Sequence, residues 1–206
     1  MKLFLQLKHW QLFILLIGIP LAIEFLTVGF IFSDDDFSSG LEQFLHIFPI
    51  LMLLYIGVLF SWLGSVGVFL SKKLPIDAPM PRGLFNGAII IPTLYILFIC
   101  WFVAMLMWGD EMSELFLEEN LTMILVAHFS SIGCFFFIFH FNAKALKSVE
   151  LQRPVLLGDY ISEFFLFWFF PVGLWFLQPR INKLLEEGDT EGVRNPDNIR
   201  KGEDLV

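Results

Sequence analysis

Residues 85–108 read FNGAIIIPTLYILFICWFVAMLMW, with no Asp, Glu, Lys, Arg or His among them. A helix rises about 1.5 Å per residue and the hydrocarbon core of a bilayer is roughly 30 Å thick, so about 20 apolar residues suffice to cross it. Three further runs match this one in length and character: Trp10–Phe32, Phe44–Leu70 and Leu121–Phe141. Inside lipid each backbone N–H and C=O has to find a partner within its own segment, so all four are predicted to be helices. Single prolines at Pro20, Pro49 and Pro92 are expected to bend them rather than end them.

The rest of the composition agrees. Of 206 residues 57% are apolar and 17% aromatic, and 26 Phe stand against 13 Lys plus Arg. With a mean hydropathy of +0.74, this excludes a soluble enzyme, a disordered chain and a nucleic-acid binder. The two cysteines, Cys100 and Cys134, both lie in apolar runs, so neither a disulfide framework nor a thiolate metal spacing is present. No cofactor is implied.

Charge predicts the orientation. The connection 33–43 holds Asp34, Asp35, Asp36 and Glu42, and the connection 109–120 holds Asp110, Glu111, Glu114, Glu118 and Glu119, both without Lys or Arg. Lys2, Lys8, Lys72, Lys73, Arg82, Lys144, Lys147 and Arg153 all fall on the other side. Because Lys and Arg near span ends are retained in the cytoplasm, the N-terminus is expected inside and the acidic turns outside. The first run lacks a small-x-small cleavage pattern and is too long for a signal peptide, so it reads as a retained helix. Ser39 and Glu42 have capping-box spacing ahead of the second span, and Asn120 is a candidate N-cap for the fourth. Residues 143–152 should prolong the fourth span as a cytoplasmic helix that stops at Arg153-Pro154. From Gly188 the polar, charged tail 188–206 reads as disordered, leaving 1–187 as the membrane domain.

A fifth apolar stretch, Phe164–Leu177, is short and carries Pro171 and Gly173 at its centre. It reads as an interfacial or re-entrant hairpin over about 160–178, with a fifth span as the alternative. If it does not cross, all Lys and Arg share one side. The segment from Gly158-Asp159-Tyr160 through the Phe-rich core to Trp175-Phe176-Leu177-Gln178-Pro179-Arg180-Ile181-Asn182 resembles the C-terminal segment of small, uncharacterised multi-pass bacterial membrane proteins. The resemblance covers about thirty residues. It implies a bacterial inner (plasma) membrane and carries no activity to transfer.

Few residues promise chemistry. Glu24 is the one acidic side chain deep in a span, eight residues or ~12 Å below its outer end. A carboxylate there is expected to be neutral, paired or facing water, and so marks a proton- or cation-handling group or a helix-packing acid. Cys100 and His128 share its depth, and convergence of the three would form a Cys-His-carboxylate set. Against that, free Cys and lone His are ordinary packing residues. Gly57, Ser61 and Ser65 repeat at four-residue spacing, a pattern that brings helices together within the chain or between copies. Asp159, Glu163, Gln178 and Arg180 bracket the aromatic core as candidate headgroup or partner contacts, or as the polar ends that any interfacial helix needs. No catalytic or metal-binding motif is present.

The sequence thus predicts an all-α integral membrane bundle of four transmembrane helices plus a C-terminal aromatic hairpin. The leading functional expectation is a non-enzymatic subunit or accessory protein that contacts membrane lipid and acts through helix contacts, with a second copy or another membrane subunit. The alternatives are a transporter or channel component using Glu24, and an intramembrane thiol enzyme built on Cys100 and His128.

Overall fold

The computed structural model of the chain describes residues 2–33, 37–107 and 111–194. Helix α1 (Lys2–Gln6) leads to α2 (His9–Phe13), which passes through a π turn at Ile14–Gly18 into α3 (Ile19–Ser33). Long helices α4 (Phe37–Ser71), α5 (Arg82–Met107) and α6 (Glu111–Leu151) follow, then α7 (Leu157–Trp168) and α8 (Phe170–Arg194). No strand occurs among the described residues. Four segments are long and apolar enough to cross a membrane: His9–Gly29, His46–Lys72, Arg82–Met105 and Glu119–Leu151. The chain is therefore an all-helical, multi-pass membrane protein.

The prolines act as local chemistry dictates. Pro20 brings no N–H to the helix, and its ring presses on the preceding turn. The chain widens there into a π turn in which the Ile19 N–H reaches back to the Ile14 carbonyl. Helices α4 and α5 continue through Pro49 and Pro92. Two expected helix starts are corrected. Asn120 lies inside α6, which begins at Glu111, and Ser39 lies inside α4, which begins at Phe37. In both cases the helix outruns its apolar stretch, and in α6 the added first turn carries Glu111 and Glu114, which a helix N-terminus tolerates.

Packing concentrates at one end. Trp62, Leu63, Val66 and Leu70 of α4 are fully buried against Phe85 of α5 and Ile138, Phe141 and Leu146 of α6. The Phe85 and Phe141 rings stack at 4.3 Å. Gly67 makes this possible, since a Cβ there would overlap the Phe85 ring and come within 2.8 Å of Asn142 Oδ1. Toward the other end Phe25, Leu26, Val126 and Phe129 stand exposed. Apolar side chains facing outward suit a lipid solvent, in which exposing them carries no hydrophobic penalty.

Helix α6 ends at Leu151, and Gln152 takes the left-handed backbone conformation at φ 50°. Helix α7 then runs back along α6, setting Tyr160 against His140 and both Phe164 and Trp168 against Phe136. The chain reverses at Phe169. Helix α8 returns antiparallel, with Phe170 beside Tyr55 of α4 and Trp175 beside His9 and Phe13 of the N-terminal segment. The break thus precedes Pro171, which sits in the first turn of α8, where its missing N–H is not needed. Gly173 instead marks the closest approach of the two helices: a Cβ there would run into the Leu166 carbonyl, 2.6 Å from its carbon. Helix α8 also extends through Arg194, so residues 188–194 are helical where disorder is expected from sequence. Residues 195–206 of that expected tail lie outside the described residues.

Gly173→Ala should destabilise the protein by about 1–3 kcal/mol, because backbone cannot step aside as a side chain can. Gly57→Ala, which meets nothing within 4 Å, serves as the control. Thermal unfolding of both variants in detergent compares them, and equal melting temperatures would refute the close approach.

Candidate functional site

Of the polar residues bracketing the aromatic stretch, Glu163 and Gln178 are turned inward. Glu163 is almost fully buried on α7. Its Oε1 accepts hydrogen bonds from Lys147 Nζ at 3.0 Å and Arg180 Nη2 at 2.8 Å, and its Oε2 accepts one from Ser162 Oγ at 2.9 Å. Arg180 also clasps Glu150 of α6 with two donors, Nε at 2.7 Å and Nη2 at 2.5 Å. One network thereby joins α6, α7 and α8. Burial alone would raise the Glu163 carboxyl, but the hydrogen bonds from Arg180, Lys147 and Ser162 outweigh it and hold the group at about 2. The Glu150 carboxylate, followed by Glu163, pushes the Arg180 guanidinium above its ordinary value.

Asp159 has a local task. Its Oδ2 accepts the Leu156 N–H at 3.0 Å at the start of α7, and it pairs with the exposed Arg153 at 3.4 Å. That backbone bond, followed by Arg153, holds its carboxyl below the usual range.

Gln178 is buried at a junction of three elements. Its Oε1 accepts the Trp62 indole N–H at 3.0 Å. Its amide Nε2 faces the carbonyls of Phe4, Leu5 and Leu7, with Leu7 nearest at 2.9 Å, and Asn182 Oδ1 at 3.0 Å. Asn182 Nδ2 donates to the same Leu7 carbonyl at 3.2 Å. Residues 4–7 span the break between α1 and α2, where carbonyls lack helical donors, so side-chain amides supply them. Lys73 Nζ reaches the Leu184 carbonyl further along α8. In this way Gln178, Arg180, Ile181 and Asn182 form the clamp that closes this end of the bundle.

The layer expected from Glu24, Cys100 and His128 divides among neighbours. The buried Cys100 thiol donates to the Pro49 carbonyl at 3.7 Å. His128 Nδ1 is 3.0 Å from the Tyr95 hydroxyl. Glu24 lines a groove of about 550 Å³ between α3 and α4, together with Pro20, Phe48 and Tyr55. No described contact joins any two of the three. Gly57, Ser61 and Ser65 line a cavity of about 670 Å³ that also borders Asn86 and Thr93 of α5. Close helix approach occurs at Gly64, where a Cβ would come within 3.3 Å of Ile89, and at Gly67, rather than at Gly57.

No family model, curated protein or solved structure matches this chain. Among the described residues no group of three or more His, Cys, Asp and Glu is placed to hold a metal. Sequence reasoning missed Trp62, Lys147, Glu150 and Asn182 as partners of the clamp. The spacing of Lys147 and Glu150 puts both on one face of α6, a detectable sign, whereas nothing local marks Trp62.

Glu163→Gln should destabilise the protein by roughly 3 kcal/mol, because Arg180 and Lys147 lose a shared buried anion. Arg153→Gln, at an exposed pair, should cost less than about 1 kcal/mol. The pH dependence has a definite sign. With the Glu163 pKa lowered from 4.5 to about 2, its contribution is complete above 4.5 and lost as pH falls from there toward 2. Melting temperatures of wild type and Glu163→Gln should therefore converge across that window, and a constant difference would refute the role given to the carboxylate.

Proposed function

We propose that this protein is a non-enzymatic subunit or accessory protein of a bacterial inner membrane, with both ends of the chain cytoplasmic and the segment 164–177 entering the inner leaflet and returning. The observation that carries the reading is the 2.8 Å bond between Glu163 and Arg180. These two residues stand on either side of the aromatic stretch, and a crossing segment would hold them a bilayer apart. The turn between them bears exposed Phe165, Trp168, Phe169, Val172 and Phe176, side chains suited to acyl chains and headgroup boundary.

The contacts at the clamped end support this orientation. Lys73 touches α8, residues 4–7 touch Gln178, and Lys147 and Arg180 share Glu163. Cations gathered at one end of a bundle favour the cytoplasmic face. The non-enzymatic reading is supported by the use of the polar side chains. Glu163, Gln178, Arg180 and Asn182 are engaged in holding helices together, while Cys100 and His128 are each bonded to a neighbouring helix rather than to one another.

Single cysteines placed at Leu157 and Lys183 in a background lacking Cys100 and Cys134 test the topology. Both should resist membrane-impermeant maleimide in intact cells and react in inverted vesicles. Reaction of Lys183→Cys from outside would establish a fifth crossing. Purification in mild detergent should recover a second chain in fixed ratio, whereas recovery of a lone monomer without crosslinks would overturn the subunit reading.

A further inference from the structure

Among the described residues no cation is paired with Glu24. It lies mid-span on α3, exposed, with Leu21, Phe25 and Val28 around it also exposed to the bilayer. Eight residues of helix, ~12 Å, separate it from the acidic turn. The sequence has no Lys or Arg between Lys8 and Lys72, and none between Arg82 and Lys144. Every span is therefore without a Lys or Arg at that depth, a second copy of the chain would bring none either, and the imidazole at that level, His128, is engaged with Tyr95. A carboxylate at this level is held by pairing or by hydrogen bonding. The groove beside it, about 550 Å³ between α3 and α4, is otherwise apolar except for Tyr55.

We propose that this groove seats a transmembrane helix of another membrane protein, one carrying a Lys or Arg that pairs with Glu24. The proposal rests on the accessory-subunit reading and names the partner's chemistry. Charge complementarity selects the occupant: the groove supplies an anion and a hydroxyl in an apolar wall, and the complement is a cation on an apolar helix. Long basic side chains suit the position, since their methylene stems pack on Pro20 and Phe48 while the head reaches the carboxylate. Small residues on the partner's flanking turns would let it approach α3 and α4 closely.

The test uses the full-length chain in its native membrane with a photoreactive residue at Leu54 on the groove, and at Leu94 of α5 as a control face. The expected result is one crosslinked partner at Leu54, its crosslinked peptide lying in a spanning segment within a turn of a Lys or Arg. Glu24→Gln should lower that yield at least tenfold without changing the protein's melting temperature. Glu24→Lys paired with Lys→Glu or Arg→Glu in the partner should restore it. An undiminished yield with Glu24→Gln, a crosslink to a second copy, or crosslinking to lipid alone would overturn the proposal. So would a Glu24-dependent proton flux through the chain reconstituted alone in liposomes. If no chain copurifies with wild type, the accessory-subunit reading fails as well; if a partner copurifies but ignores Glu24, only this proposal fails.

Discussion

Glu163 and Arg180 are separated by an aromatic stretch that, fully crossing, would hold them on opposite faces of the bilayer, yet their side chains are in hydrogen-bond contact. Almost everything distinctive about the closed end of the bundle follows from that juxtaposition. It requires the chain to reverse, which it does at Phe169. Reversal brings α7 and α8 together so closely that only glycine fits at position 173. With α8 returned beside α4, Gln178 can meet Trp62 and the carbonyls of the N-terminal segment. An ion pair of this kind is favourable because its charges are multiply satisfied: Glu163 accepts three hydrogen bonds, and Arg180 is shared with Glu150.

The protein is thus polarised along the direction in which its helices run. One end is packed as a soluble core would be, with stacked phenylalanines, buried amides and an ion network. The other end keeps its apolar side chains turned outward. Helix association in lipid lacks the hydrophobic driving force available in water, so tight packing has to come from close backbone approach and polar bonds. Close approach is found at Gly64, Gly67 and Gly173, and the polar bonds at Gln178 and Arg180.

The four spans were legible because their signal is length and apolarity, properties that need no knowledge of neighbours. Residues 85–108 alone exclude most alternatives. Helix ends are less so: Asn120 and Ser39 look like caps, but the helices begin earlier, at Glu111 and Phe37. The aromatic segment is exceptional in the sequence, with Pro171 and Gly173 at its centre, yet the break falls earlier, at Phe169. Proline is tolerated in a first helical turn and glycine serves a close contact, so neither residue itself ends a helix here. The bracketing polar residues stand out in the sequence as headgroup or partner contacts or as the polar ends of an interfacial helix, and the sequence does not name the groups they bond in the fold. Their partners lie far away in sequence, as with Trp62 and Leu7, and periodicity carries no record of such pairings.

The clamp also has a consequence for biosynthesis. Gln178 meets Leu7 across 171 residues of chain, so the first helices leave the ribosome and enter the bilayer long before the amide that binds their carbonyls has been made. Closure therefore waits until residue 178 has been made, whatever the order in which the earlier helices settle.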